Sequence, residues 1–589
     1  MLNEQKKSVL AVSIVLFFIL ITAFAVRFYK HHDWLYFKMD QSRDAALISN
    51  SILNGPEYLP LLGPRAGATD VPSGYLRLGP AFYYFQYIAG KLFNSTSPDV
   101  LAYPELFFSM AAIIILYFFL SLYFSKTNSL LITAMYAFSF IVIQYSRFAW
   151  NPNTLFFWTI LSFWSLLKFL NEESLKKKYT WIAVCSVALA VGSQLHFLGF
   201  FTLVGIFGLV MLYHYEVWKK ENILGFFQKE NLKKFLLYAV IFLAFFTFIY
   251  APVIISDVMK NGENTKNFFY AIGSKPQDKP LLEKIFKNIE EQTKYFSLLF
   301  TSVYYTDAVK KHLLPVSATL LAFLVGAILA CRSFWKKEEK LKKDFIVLIF
   351  AWLSVFFILS IPVAFQIRPR FFILVFALPF IFLGFFYEFL EEKFSQKKYF
   401  AAVILLTAAV IASNGYGTYL WFAEQSLAQG AGTKDVKRTL ILKVRDGVTL
   451  GQLQRVADYI YAEHKSNATV YYYVKPEHVS PLKYLFTQKR DSNFKFLPLK
   501  INSDPNAQYF AIVPFNNGTK NIQNKIGDTF DVLSREVFGQ LAVYEIEIKN
   551  RKISADFRFN KEVGKSDRLF WKDALGIEGN PSVQVEGGE

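Results

Sequence analysis

The chain has 589 residues, 53% of them hydrophobic and 18% aromatic, with a mean hydropathy of +0.28. That composition excludes an ordinary soluble protein and points to a polytopic membrane protein. The formal charge of +18 is no sign of nucleic acid, because the lysines lie in short runs between apolar segments, as membrane-flanking charge does.

The first apolar run, 8–28, follows Glu4-Gln5-Lys6-Lys7. It is long for the hydrophobic part of a signal peptide and no small-x-small cleavage pattern follows it, so it reads as an uncleaved span. Ten more spans are predicted at 102–124, 128–145, 152–170, 179–194, 196–215, 235–256, 312–331, 344–365, 371–390 and 398–420. The apolar stretch 179–215 is about 55 Å long as a helix, too long for one crossing, so it must turn at the polar break Gly192-Ser193-Gln194-Leu195-His196. Alternate connections carry the lysine clusters, among them Lys176-Lys177-Lys178 and the KKEEKLKK run near Lys336–Lys343. The positive-inside rule therefore puts the N-terminus in the cytoplasm. On that topology the first loop (29–101), Arg147 to Asn153, His196, the second large loop (257–311), Arg368 with Arg370, and everything after 421 share the outer face. The two cysteines, Cys185 and Cys331, lie within or at the end of spans, which leaves no disulfide framework and no cysteine metal site.

The first loop opens with MDQSRDA, in which Asp40 and Asp44 fall on one face of a helix with Arg43 between them. Asp40 reads either as a helix N-cap or as a catalytic carboxylate, and Asp44 either as a solvated ion-pair partner or as its helper. Ala45, Ile48, Ile52 and Leu53 form the apolar side. Two Leu-Gly-Pro triplets follow, at 62–64 and 78–80, and the second starts the aromatic segment AFYYFQYIAGKLF, with Pro80 at the first helical position. Its Tyr83, Tyr84, Phe85 and Tyr87 suit a helix lying in the membrane interface. Asn151-Pro152 reads as an N-cap followed by proline at the first helical position. His196 is a turn residue able to contact a ligand or simply to hold the turn. Arg147 is placed to orient the loop against Asp40 or Asp44.

After the last span the sequence turns polar, with Gly430-Ala431-Gly432 as a linker. Thr449-Leu450-Gly451-Gln452 matches a capping box before a helix, and 469–474, 508–513 and 541–548 read as strands. The expected fold is mainly α, about eleven transmembrane helices over 1–420, with a small α/β domain over 421–589 that ends in a disordered tail, EGNPSVQVEGGE.

MDQSRDA, LGPAFYYF and YSRFAWNPN, together with eleven spans and an inside N-terminus, resemble the GT-C membrane glycosyltransferases. Among these they are most similar to the protein O-mannosyltransferase-like enzymes and the lipid A aminoarabinose transferases. The resemblance covers 1–420 and is strongest over 33–170. It implies a polyprenyl-phosphate sugar donor, an inverting transfer to an acceptor on the outer face of the plasma membrane (protein, lipid or cell-envelope glycan), and Asp40 as general base. Two positions depart from the family pattern: Gln41 stands where the family often has Glu, and Asn153 where it commonly has Asp after an Arg such as Arg147.

Transfer from a lipid phosphate also needs cations for the departing phosphate. Arg368 and Arg370 in IRPRFF suit this by their planar fork of donors, and Arg65 and Arg77 are further candidates. Tyr83, Tyr84, Asn151, Asn153 and His196 are supporting residues. No cofactor is required by the pattern; a divalent cation at Asp40 and Asp44 is the one candidate. The expected partners are the sugar donor, the acceptor and membrane lipids. A non-catalytic envelope scaffold is one alternative; a lipid or solute transporter of the cell envelope is the other. Against it, the span interiors carry almost no charge, whereas a transporter would place ionisable groups near the bilayer midplane.

Overall fold

The computed structural model describes residues 2–66, 76–221, 228–273, 279–303, 313–337, 339–430, 436–441, 447–499, 506–527, 530–549 and 568–577. In lipid every backbone N–H and C=O must be satisfied internally, so the long apolar runs become helices. Among the described residues nine stretches are long and apolar enough to cross a bilayer: Leu10–Phe28, Val100–Leu120, Asn151–Asn171, Phe197–His214, Glu230–Met259, Leu314–Lys336, Lys340–Gln366, Pro369–Lys393 and Gln396–Ala428. Phe17, Phe248, Leu321 and Leu405 stand exposed on them, as side chains solvated by acyl chains do. The chain is a multi-pass membrane protein.

The helices in chain order are α1 (Leu2–Phe28), α2 (Met39–Asn54), α3 (Ala81–Leu92), α4 (Tyr103–Leu120), α5 (Lys126–Ala137), α6 (Phe140–Tyr145), α7 (Leu155–Asn171), α8 (Leu175–Leu195) and α9 (Phe197–His214). They continue with α10 (Lys229–Met259), α11 (Glu263–Gly273), α12 (Leu281–Thr301), α13 (Leu313–Lys336), α14 (Lys340–Ser360), α15 (Leu378–Lys393) and α16 (Gln396–Ala428).

Two predicted spans differ from that set. The run 128–145 is broken at Phe138-Ser139 into α5 and α6. The break is satisfied from a distance: Asn414 on α16 accepts from the Phe140 amide at 2.9 Å and donates to the carbonyls of Leu299 and Phe300 at 3.0 Å each. One buried amide thus meets backbone groups that lipid could not. The run 179–194 belongs to α8, whose lysine-rich first turn lowers its mean hydropathy; it packs between α7 and α10.

The connection between α14 and α15 is not a short turn but two 3₁₀ stretches, Ile361–Gln366 and Pro369–Val375. Pro362 and Pro369 cannot donate to a regular ladder, and α12 supplies partners instead. Asn288 Nδ2 donates to the Phe357 carbonyl at 2.9 Å, and the Ser360 hydroxyl donates to Asn288 Oδ1 at 3.0 Å. Residues 281–301, read from sequence as part of a loop, therefore form a helix whose second half, Tyr295 to Phe300, is buried in the bundle.

The C-terminal domain is a five-stranded mixed sheet in the order β2-β1-β3-β5-β4, built from β1 (Thr469–Tyr473), β2 (Lys495–Pro498), β3 (Ala507–Pro514), β4 (Phe530–Phe538) and β5 (Leu541–Ile548). The β1–β2 and β1–β3 pairs are parallel; β3–β5 and β4–β5 are antiparallel. The three expected strands are the central ones; the two edge strands, largely exposed, were missed. Helices α17 (Leu450–Glu463), α18 (Pro476–Thr487) and α19 (Lys520–Ile526) complete it.

The capping box is absent. Thr449 precedes α17 but makes no side-chain cap, its hydroxyl accepting from Gln429 Nε2 at 3.4 Å, and Gln452 is used elsewhere: its Nε2 donates to the Ala428 and Gly447 carbonyls at 3.0 and 2.9 Å. That bond ties the domain to the end of α16. A second tie runs through α18, where Tyr484 Oη lies 2.7 Å from Ser49 Oγ on α2. The expected linker beyond Gly430 and the tail beyond residue 577 lie outside the described residues.

Candidate active site

Helix α2 starts at Met39, with Lys38 as its cap and the Lys38 amide donating to Gln41 Oε1 at 3.2 Å. Asp40 is therefore not the N-cap. It sits in the first turn, its side chain 47% exposed. Gln41, the residue that departs from the family pattern, does the capping instead.

Asp44 lies one turn on and is buried, its side chain 3% exposed. Arg43 bridges the two carboxylates: Nε and Nη2 reach Asp44 Oδ1 at 3.0 and 2.9 Å, and Nη1 reaches Asp40 Oδ1 at 3.1 Å. The Tyr83 hydroxyl donates to the same Asp44 oxygen at 2.8 Å. Burial pushes the Asp44 carboxyl up, against the pull of Arg43. Burial likewise pushes the Tyr83 phenol up to about 12. For Arg43 burial disfavours the charged form, but Asp44, Tyr83 and Asp40 outweigh it and hold the guanidinium charged. The two carboxylates thus differ in kind: Asp44 is a closed structural anion, and Asp40 keeps an accessible face.

Helix α3 turns its tyrosines to partners within the protein, while its Ile88 and Leu92 stand exposed. Tyr83 is fully buried, and Tyr84 Oη donates to the Pro60 carbonyl at 3.2 Å while accepting from Trp571 Nε1 at 2.8 Å. Leu53, expected on the apolar side of α2, is exposed; Ala45, Ile48 and Ile52 are buried.

The two Leu-Gly-Pro triplets pair with each other. The Gly63 amide donates to the Leu78 carbonyl at 2.8 Å and the Leu78 amide to the Pro64 carbonyl at 2.9 Å, which sets Arg65 opposite Arg77 in an antiparallel bridge. A Cβ on Gly63 would lie 2.0 Å from the Gly79 carbonyl oxygen, so this approach needs glycine. The ribbon is held to α11 by Asn264, which accepts from the Arg77 amide at 3.0 Å.

Of the two arginines in IRPRFF, Arg370 is the one brought to the site. It lies within electrostatic reach of Asp40, and its guanidinium stacks 5.1 Å over the Trp150 ring. Arg368 is exposed. His196 caps α9, its Nδ1 accepting from the Leu198 amide at 3.2 Å, and its ring stands edge-on to Phe371 at 5.1 Å, beside Arg370.

Arg147 does not face the carboxylates. It is buried and donates to the carbonyls of Val26, Arg27 and Tyr29 at 3.0, 2.6 and 2.7 Å, closing the C-terminal end of α1. A cation there meets both the dipole and the orphan carbonyls of the helix end. Asn151 is not an N-cap either; Trp150 precedes the 3₁₀ turn Asn151–Thr154, and Asn151 Nδ2 donates to the Leu195 carbonyl. Asn153 Nδ2 folds back onto the Phe148 carbonyl at 2.8 Å.

A divalent ion does not fit the carboxylate pair. Arg43 already occupies the space between Asp40 and Asp44, and Asp44 Oδ1 already accepts from Arg43 and Tyr83. Among the described residues no group of three or more His, Cys, Asp or Glu side chains could hold a metal ion.

Sequence reasoning missed two contributors. Glu105 is a buried acid inside an apolar run; its Oε1 accepts at 3.3 Å from the backbone amide of Trp150, the residue whose ring carries Arg370. A lone acid in a span was the available signal. Arg568 reaches Tyr83 from the far end of the chain, and no local pattern marks it.

Residues 14–256, less than half of the chain, match the family model described as dolichyl-phosphate-mannose-protein mannosyltransferase. Nothing among curated proteins matches. Similar solved structures include the oligosaccharyltransferase of Archaeoglobus fulgidus in its apo form, at 14% identity and TM-score 0.49, covering 86% of this chain and 70% of that one. They also include ArnT from Cupriavidus metallidurans in the apo state, at 11% identity and TM-score 0.49, covering 91% of this chain and 98% of that one. The same enzyme bound to undecaprenyl phosphate aligns at 11% identity and TM-score 0.47, covering 90% and 97%. At TM-scores below 0.5 these likenesses carry no residue-level correspondence. The family match over residues 14–256 makes the membrane part of this chain similar to the protein-mannosyltransferases.

Proposed function

We propose that the protein transfers a sugar from a polyprenyl-phosphate donor to an acceptor on the outer face of the plasma membrane, with Asp40 as general base. The observation that carries the reading is the division of labour on α2. Asp40 is half exposed, oriented by Arg43 and within electrostatic reach of Arg370, while Asp44 is shut away. The donor class follows from the family description, which names a dolichyl-phosphate sugar.

In the proposed step Asp40 takes the proton from the acceptor hydroxyl or equivalent nucleophile as that atom bonds to the anomeric carbon. The bond from that carbon to the phosphate oxygen breaks, and polyprenyl phosphate leaves with the electron pair. Attack opposite the leaving group inverts the anomeric centre. Arg370 is the first cation for the departing phosphate, and Arg368, Arg65 and Arg77 are candidates for its outer oxygens. Stacking on Trp150 holds the Arg370 fork in place, which favours planar recognition of phosphate.

The test is transfer by purified protein in lipid, supplied with radiolabelled polyprenyl-phosphate sugars and candidate acceptors, with Asp40→Asn alongside. Transfer lost in the variant supports the assignment. Full activity of Asp40→Asn removes the base, and use of a nucleotide sugar in place of the lipid donor removes the donor class.

A further inference from the structure

The C-terminal segment beginning at Arg568 lies more than 470 residues from Tyr83 in sequence, yet it docks on the first loop through an isolated antiparallel bridge. The Leu61 amide donates to the Leu569 carbonyl at 2.9 Å, the Trp571 amide donates to the Leu59 carbonyl at 3.0 Å, and Pro60 and Phe570 form an antiparallel bridge. The short helix Trp571–Leu575 follows. Side chains repeat the attachment: Trp571 Nε1 donates to Tyr84 Oη at 2.8 Å, and the Lys572 ammonium lies 5.2 Å from the Tyr58 ring centre. Arg568 Nη1 donates to Tyr83 Oη at 3.3 Å, its guanidinium 5.4 Å from that ring's centre.

This contact fixes a proton. An arginine has donors only, so a Tyr83 oxygen that accepts from Arg568 must direct its own hydrogen elsewhere. The acceptor in reach is Asp44 Oδ1, at 2.8 Å. A continuous line then runs Arg568 to Tyr83 to Asp44 to Arg43 to Asp40. Arg568 donates to the Tyr83 oxygen, Tyr83 and Arg43 donate to Asp44, and Arg43 is shared between the buried acid and the accessible one.

We propose that residues 568–575 are a clasp that completes the active site, with Arg568 as a positioning residue that acts on Asp40 through Tyr83, Asp44 and Arg43. This rests on the reading of Asp40 as the base. The clasp would hold Tyr83 as an obligate donor, keep Asp44 as the fixed anchor for Arg43, and so leave Arg43 Nη1 free to aim Asp40. The charged or titratable groups in this line are Arg568 on the clasp, Tyr83 on α3, and Asp40, Arg43 and Asp44 on α2.

The experiment is a double-mutant cycle of Arg568→Ala and Tyr83→Phe in the full chain, read by kcat, by donor KM and by thermal unfolding in detergent. Arg568→Ala should lower kcat about tenfold with donor KM within about twofold, the size expected for a slight misplacement of the base. Arg568→Lys should restore most of the rate. In the Tyr83→Phe background Arg568→Ala should cost nothing further, because the link it acts through is gone. Additive losses, or an unchanged kcat in Arg568→Ala, would overturn the clasp. The unfolding cycle needs no substrate: non-additive Tm shifts support the contact, and strictly additive ones reject it whatever the activity. An inactive wild-type protein with a coupled unfolding cycle would instead break the proposed reaction and leave the clasp standing.

Discussion

Two clusters in this molecule use nearly the same parts. At one, Asp40, Arg43, Asp44 and Tyr83 meet where α2 packs on α3. At the other, at the C-terminal end of α9, His214 Nδ1 lies 2.7 Å from Asp344 Oδ2, and Asn171 donates to the same oxygen at 3.0 Å. Both join an acid to a nitrogen base, and both link three or more chain segments. They differ in access. Asp344 is 0% exposed and His214 7%, so that cluster is a dry clamp holding α7, α9 and α14 together. At the first cluster one of the two acids is left half in the open. A carboxylate that only holds helices together gains nothing from an open face, whereas a base must meet its substrate.

The sharpest way to break that contrast is to remove the open acid. Asp40→Asn should lower kcat by about 10²–10⁴-fold with little change in Tm, since general base catalysis is typically worth that much. A large Tm loss with residual kcat intact would make Asp40 a second clamp. The converse variant, Asp344→Ala, should cost about 3 kcal/mol of stability by leaving His214 and Asn171 buried without their acceptor. Thermal unfolding in detergent reads it, and turnover per folded molecule should stay unchanged.

Arg370→Ala should reduce kcat about 10²-fold by removing a charge that the leaving phosphate needs, with Arg370→Lys recovering part of it. The companion variant Arg368→Ala should be much milder, and equal losses from the two would show that exposure does not separate them. The smallest effect concerns His32 and Asp99, a half-open pair with Nδ1 to Oδ2 at 2.9 Å. Burial disfavours the Asp99 carboxylate, but the bonds from His32 and Ser97 bring it down to about 2; the Asp99 bond raises His32. The stability it contributes is full below the ordinary histidine range, is lost as pH rises through the raised His32 value, and is lost again as pH falls toward 2. With His32 half exposed, the change should be about 1 kcal/mol or less. Unfolding midpoints across pH should lose this dependence in His32→Asn.

Much of the membrane fold was legible because lipid imposes one rule on the backbone, and runs such as 8–28 or 398–420 meet it alone. The span 128–145 was not legible as a broken helix, since the residue that makes the break tolerable is Asn414, far along the chain. The same reason hid the partner of Gln452, which looked like half of a capping box but is spent on Ala428 and Gly447. Arg147 shows the limit in the site itself. Its charge marked it as functional, yet only the packing of α1 against the 147 turn turns that charge to three carbonyls.

The sequence by itself determined that this chain crosses a membrane many times, that a polar domain follows, and that MDQSRDA puts two acids and an arginine on one helical face. Those follow from local rules of period, length and hydropathy. Tertiary structure alone decided which acid is open, that Arg370 of IRPRFF stacks on Trp150, and that Arg568 reaches Tyr83. Burial and electrostatic reach depend on segments hundreds of residues apart, and no local pattern encodes them.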